Sequence, residues 1–300
     1  MGGKRGQRVK PAPFSYYAPG SVEESVGLLS SLGEEAKLLA GGQSLGPMLN
    51  LRLATPTALI DLNRISGLDY LHVDEDGALV LGPLTRHRTL EHSDVVRQRW
   101  PLLHEAMPYV GHLAIRNRGT IGGSLAHADP AGELPAVTLA LQGELLVEGP
   151  GRQRRVDAEA FFSTFLTTCL GPEEMLREVR IPAQVPRTGQ CWMEFAPRAG
   201  DYAIVGVAAT VRLDAKGRYE AARLVYAGIA DIPMLADTAK QLVGEEPSDG
   251  LHEMIGEAVA AAARPLSDIM ASGDFRRHLV RVLTRRVLGV AVARAKGTAG

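Results

Sequence analysis

The sequence predicts a two-domain α+β protein, and three features carry that expectation. Short strand-like runs alternate with amphipathic segments through the first 180 or so of its 300 residues. A stretch holding two prolines and a glycine, residues 182–189, then interrupts the pattern. Beyond it come three longer strand-like runs followed by an almost wholly helical remainder. The boundary is set so that residues 1–183 form the first domain and 184–300 the second.

The first helix begins after Pro19-Gly20. Ser21 and Glu24 have capping-box spacing, Val22, Val26, Leu29 and Leu32 form its apolar stripe, and Gly33 is its stop. Residues 37–40 and 57–62 read as strands. Residues 70–73 and 78–81 read as a hairpin about Asp76-Gly77. A helix-rich stretch covers 85–110, with Pro101 opening a helix. Residues 133–141 read as a helix closed by Gly143, and 144–147 as a strand. In the second part, 190–195, 205–213 and 219–229 are strand-like, and Lys216-Gly217 marks a hairpin turn. The final helix carries Leu279, Val282, Leu283, Val287, Val290 and Ala291 on one stripe. Arg276, Arg277, Arg281, Arg285 and Arg294 are expected on its solvated faces.

Composition excludes several classes. Apolar residues are 45% and charged residues 22%, ordinary for a folded globular chain. A net charge of −1 gives no electrostatic footprint for nucleic acid. No apolar run approaches a membrane span. The first ten residues hold Lys4, Arg5, Arg8 and Lys10 but no apolar core after them, which reads as a basic arm and not a secretory signal. Cys169 and Cys191 have no metal-like spacing, which points to a reducing, cytoplasmic setting and leaves this chain alone unable to hold an iron–sulfur cluster.

Two glycine motifs dominate the first domain. Leu38-Leu39-Ala40-Gly41-Gly42-Gln43-Ser44-Leu45 reads as a strand end turning through paired glycines. Eighty residues on, Arg118-Gly119-Thr120-Ile121-Gly122-Gly123-Ser124 offers a second turn of the same kind. Paired glycines let backbone approach a ligand and take positive φ, and successive N–H groups in such a turn cradle an anion. One Gly-Gly pair is commonly just a tight turn. Two in one domain fit one extended ligand held from both sides, such as a dinucleotide with its central pyrophosphate. Neither motif has the Walker A or Rossmann spacing. Ser44 and Ser124 lack a nucleophile elbow, so phosphate hydrogen bonding is the better reading for both. Asp129 and Glu133 are four apart and share a face if the segment is helical. There they could accept from ribose hydroxyls, or simply be acids at a helix start. The histidines are scattered without ligand spacing, and His127 reads as a loop residue.

These residues resemble the flavin-binding medium subunits of the molybdenum hydroxylases, the group of carbon monoxide, xanthine, nicotine and caffeine dehydrogenases. The carriers are Ala40-Gly-Gly-Gln-Ser-Leu45, Thr120-Ile-Gly-Gly-Ser124, Asp129-Pro130 with Glu133, the Arg180-Ile-Pro182 exit and Gly200-Asp-Tyr-Ala203. The resemblance runs over nearly the whole chain. It implies an α+β architecture: a two-lobed FAD domain of the vanillyl-alcohol-oxidase type, then a small C-terminal domain with a three-stranded antiparallel sheet and helices.

It also implies that Leu38, Leu39, Ala40, Gly41, Gly42, Gln43, Ser44 and Leu45 line the cofactor from one side. Thr120, Ile121, Gly122, Gly123 and Ser124 line it from the other. Asp129 and Glu133 stand near its adenosine end, Leu176 touches it, and Asp201 and Tyr202 lie beside the isoalloxazine. Gln43 stands where many relatives have histidine, Ser124 where many have asparagine, and Glu133 where they have aspartate. Some members of the wider fold attach FAD through a histidine of the first loop, so Gln43 implies non-covalent FAD. No residue is assigned acid–base catalysis.

The function implied is that of an oxidoreductase subunit, inactive alone. It would pass electrons from two [2Fe–2S] clusters of a small partner to a terminal acceptor, with a molybdenum cofactor in a large partner and the whole a dimer of heterotrimers. The final helix and the basic arm are the candidate docking surfaces. A self-contained flavin reductase and a non-redox nucleotide-binding module are the alternatives. Substrate and acceptor are set outside this sequence.

Overall fold

The computed structural model describes residues 10–297, so all of the basic arm but Lys10 lies outside the described residues. The first lobe is a parallel sheet, β1 (Ser15–Tyr17), β2 (Ala36–Leu39) and β3 (Ala58–Asp61), in the order β1-β3-β2. Helix α1 (Val22–Leu32) packs on it through Val22, Val26 and Leu29. Ser21 caps that helix by accepting from the Glu24 N–H, while the Glu24 carboxylate accepts from Gly20 N at 2.8 Å. The reciprocal bond of the capping box is thus displaced by one residue. Gly33, at φ +67°, ends the helix. Helix α2 (Leu45–Asn50) follows the first glycine motif directly.

The second lobe holds a five-stranded sheet. Its strands are β4 (Leu71–Val73), β5 (Leu79–Leu81), β6 (Glu144–Gly149), β7 (Arg152–Asp157) and, after the small ribbon β8 (Phe162–Thr164) and β9 (Thr167–Thr168), β10 (Met175–Ile181). The order is β4-β5-β10-β6-β7, so β10 returns between two strands that precede it. Against this sheet lie α3 (His87–His92), α4 (Asp94–Arg99), α5 (Pro101–Ala106), α6 (Leu113–Arg116), α7 (Ile121–His127), α8 (Glu133–Ala140) and α9 (Ala158–Phe161). Trp100, fully buried, donates from Nε1 to Pro182 O at 2.9 Å and so fastens the helices to the chain leaving β10. The left-handed residue that closes α8 is Gln142 (φ 56°), not Gly143, whose N–H returns to Thr138 O at 2.9 Å. A Cβ on Gly143 would lie 2.6 Å from Thr138 Cγ2, so close packing is what the glycine provides.

The last part is an antiparallel sheet of β11 (Thr188–Phe195), β12 (Val205–Leu213), β13 (Tyr219–Ala227) and β14 (Met234–Leu235). Sequence predicts three of these strands. The fourth, two residues long, is too short for a period to register. Helices α10 (Asp249–Ala262) and α11 (Gly273–Ala295) cover one face. The strands alternate strictly: Val205, Val207, Ala209 and Val211 face α10 and α11, while Trp192, Ala208, Val225 and Ala227 join the core of the second lobe. The sheet is therefore apolar on both faces, and the two parts of the chain share one core.

One expectation for α11 fails. Arg276 is 6% exposed, donates to Ile204 O (2.6 Å) and Gly228 O (2.9 Å), and pairs with Asp268 at 2.6 Å. It belongs to the core because these carbonyls, where β12 begins and β13 ends, need a donor.

Candidate cofactor site

The two glycine motifs meet. A Cβ on Gly41 would lie 2.2 Å from Arg118 O and 2.9 Å from Gly119 Cα, so the backbones touch where the first glycine has no side chain. A Cβ on Gly123 would come 3.7 Å from Ala40 Cβ. Asn63 and Arg86 tie the approach. Asn63 Nδ2 donates to Ala40 O at 2.8 Å, Arg86 Nη2 donates to Asn63 Oδ1 at 2.7 Å, and Arg86 Nη1 donates to Arg118 O at 2.5 Å. Neither residue was singled out from sequence. Each lies in another element, and no motif flags it.

The motifs are not alike in chemistry. The first follows β2, and Gly42 takes φ +71°. Among the described residues no acceptor takes the N–H groups of residues 42–45. These groups lead into the start of α2, with the Arg86 guanidinium on the neighbouring Arg118 carbonyl. Free N–H groups beside a cation fit a pyrophosphate.

The second motif follows helix α6, not a strand, and itself makes the first turn of α7. Its N–H groups are spent within the chain: Ile121 N on Thr85 O, Gly122 N on Pro83 O, Gly123 N on Thr120 Oγ1 and Ser124 N on Thr120 O. Ile121 and Gly122 face inward, and a Cβ on Gly122 would lie 2.6 Å from Pro83 O. The glycine there serves packing, which corrects the expectation that its backbone approaches a ligand.

Ser124 Oγ is 3.1 Å from His87 Nε2. His87 is buried under Gly119, and burial pushes its pKa down to about 4, so the imidazole is neutral. It was missed because a histidine five residues from His92 carries no ligand spacing.

Asp129 and Glu133 do not share a helix face. Gly132 is the N-cap of α8, Glu133 its first residue, and Asp129 lies in the preceding turn, accepting from Ala131 N at 2.9 Å. The two are nevertheless electrostatic neighbours. Glu133 is 6% exposed; burial, then Glu194, pushes its pKa up to about 8. Glu194, on β11, accepts from Trp192 Nε1 at 3.1 Å, and burial pushes it up to about 7. Tyr202 has an exposed ring, and its hydroxyl lies within interaction range of Asp129 and Ser44. Burial, then Asp129, raises that phenol. One crevice thus joins the first motif, the turn before α8 and the segment between β11 and β12.

Asp201 N donates to Arg198 O at 3.1 Å, within that last segment. Leu176 is 5% exposed on β10, in the same apolar core as Ile121 and Leu125 beneath α7. Among the described residues no group of His, Cys, Asp and Glu could hold a metal, and no helix is long and apolar enough to cross a membrane. Cavities of about 180 and 110 Å³ lie elsewhere, the larger one beside Glu174.

Comparison with known proteins agrees with this geometry. Residues 12–184 match the family described as the FAD binding domain in molybdopterin dehydrogenase, and residues 190–291 match the CO dehydrogenase flavoprotein C-terminal domain. The alpha subunit of the 6-hydroxypseudooxynicotine dehydrogenase complex of Paenarthrobacter nicotinovorans is 36% identical, over 97% of this chain and 98% of that protein. A solved carbon monoxide dehydrogenase from Hydrogenophaga pseudoflava matches with a TM-score of 0.92 at 36% identity, covering 95% of this chain and 99% of that one. Quinoline 2-oxidoreductase from Pseudomonas putida 86 matches with a TM-score of 0.89 at 33% identity, covering 96% and 99%.

Proposed function

This chain belongs to the FAD-binding medium subunits of the molybdenum hydroxylases, and we propose that it carries FAD and passes electrons from a partner's [2Fe–2S] clusters to a terminal acceptor. The observation that carries the cofactor assignment in this chain is the run of free N–H groups at residues 42–45, held against the second motif by Gly41, Asn63 and Arg86. When bound, the flavin takes one or two electrons and so couples one-electron carriers to its acceptor; the protein supplies position and electrostatics.

Residues 42–45 hold the pyrophosphate through their backbone, and Ser44 and Ser124 contribute hydroxyls. His87 orients the Ser124 hydroxyl from beneath. The buried apolar side chains of Ile121 and Leu176 support the floor on which Gly123 and Ser124 sit. Asp129 and Tyr202 bound the crevice at its far end, where Tyr202 limits access. Gln43 leaves the attachment non-covalent: its side-chain amide turns back to Gly41 O at 2.9 Å.

The flavin domain comprises residues 1–183 and the C-terminal domain 184–300. The assembly is a dimer of heterotrimers in the cytoplasm, with a large molybdenum subunit and a small iron–sulfur subunit. α11 is the docking surface. Co-purification from the native host tests this reading. Recovery with both partners supports it, and a monomer that oxidises substrate unaided rejects it.

A further inference from the structure

Three carboxyl groups meet in the crevice: Glu133 at the start of α8, Asp129 in the turn before it, and Glu194 on β11. Among the described residues no Arg, Lys or His pairs with Glu133 or Glu194, and Asp129 has only His127 at 4.0 Å. The hydrogen bond to the Glu133 carboxyl comes from its own backbone N–H.

The other groups around the cluster do not supply a cation. Tyr202 faces Asp129 and Glu133, and Tyr109 faces Glu194. Glu105 of α5 is spoken for by Arg294 at 2.7 Å. Arg223, which packs on α8 from β13, sits at that helix's other end, on Leu139 O and Glu159. Three negative charges in a desolvated crevice without a counter-ion repel one another strongly, and the most buried group is the one that keeps its proton.

We infer that Glu133 works as a neutral acid, kept protonated by Glu194, and meets the bound cofactor as a hydrogen-bond donor and not as a carboxylate acceptor. The inference rests on the FAD reading above. FAD presents ring carbonyls, ring nitrogens and phosphate oxygens, all acceptors that a carboxylate repels and a carboxylic acid binds. The upward pKa shifts of both glutamates agree with this arrangement, and the two titrate as a coupled pair. Glu194 is then a positioning residue. It touches no substrate and acts through the proton on Glu133.

Two measurements on the full chain test this. The first is carbon-13 carboxyl NMR of the FAD-free protein against pH. One glutamate should titrate near pH 8. That signal should be absent in Glu133→Gln and displaced to lower pH in Glu194→Gln. The second is the FAD dissociation constant against pH. If only the neutral acid binds, affinity falls about tenfold between about pH 7 and 9. Glu133→Gln, a permanent donor, should bind near wild-type strength at neutral pH with a flat profile. Glu194→Gln should begin to lose affinity at lower pH, and it carries the test if Glu133→Gln does not fold.

All glutamates titrating in the ordinary range, a flat wild-type binding profile, or folded Glu133→Gln without FAD affinity would each overturn the inference. A wild-type chain that shows the alkaline titration yet binds no FAD at any pH overturns both the donor role and the cofactor reading. The NMR result distinguishes that failure from the others.

Discussion

Gly41→Ala isolates the approach of the two loops. The new Cβ would sit 2.2 Å from Arg118 O, with Arg118 C and Gly119 Cα both at 2.9 Å, and all three are backbone atoms. Relief needs a movement of about an ångström at one loop, and both are pinned. Ala40 O is held by Asn63 and Arg118 O by Arg86. Overpacking of this kind costs about 1–3 kcal/mol, and the pinning favours the upper end. Melting should fall by several degrees, and FAD should bind at least about tenfold more weakly, since 1.4 kcal/mol is a factor of ten.

Two controls bracket the effect. At Gly42 (φ +71°) the nearest atom to a new Cβ is a flexible one, Leu39 Cδ1 at 3.1 Å, so Gly42→Ala should cost about 1–2 kcal/mol of backbone strain. Gly46 lies within α2 with nothing inside 4 Å, and Gly46→Ala should stabilise by roughly 0.5–1 kcal/mol. Flavin per polypeptide after gel filtration, with thermal melts on the same samples, ranks the three. Full flavin and an unchanged melt in Gly41→Ala would refute the loop contact as the basis of the site.

Other expectations follow from single residues. Folding keeps His87 neutral to about pH 4, so acidification from about pH 6.5 favours the unfolded chain, which takes the proton; the loss grows to order 2–3 kcal/mol. His87→Gln should flatten that part of the pH–stability curve in denaturant titrations, and an unchanged curve counts against a buried neutral imidazole. Arg276→Met should cost about 3 kcal/mol or more, because it orphans two carbonyls and Asp268; urea unfolding equal to wild type would show that the contacts are dispensable. Tyr202→Ala should leave FAD affinity nearly intact and alter the rate of flavin reoxidation. Unchanged stopped-flow rates with every acceptor would return the residue to ordinary packing.

Much of the fold was legible because its long elements carry clear periods. The alternation of β11, β12 and β13 and the caps of α1 are local signals, read from neighbouring residues. β7 to β10 were not legible. β7 reads Arg-Gln-Arg-Arg-Val-Asp, too polar to look buried, and β8 and β9 are three and two residues long. Arg276 looked solvated because helical spacing cannot reveal two carbonyls waiting at the ends of other strands. In the site, the glycine motifs drew attention to the right backbone, but sequence could not separate their jobs. Gly41 and Gly122 make room for backbone, and Gly42 sets a conformation. Asn63, Arg86, His87 and Glu194 enter only through tertiary contacts, so no local pattern announced them.

The most direct test of the assignment is made on the isolated chain and on its complex. Flavin content and substrate-driven bleaching of the flavin absorbance are recorded anaerobically for each. The account predicts one FAD per chain in both, no bleaching by aldehyde, carbon monoxide or N-heterocycle in the isolated chain, and bleaching by the native substrate only when the iron–sulfur and molybdenum subunits are present. An isolated chain bleached by substrate, or a complex whose chain contains no FAD, would contradict it.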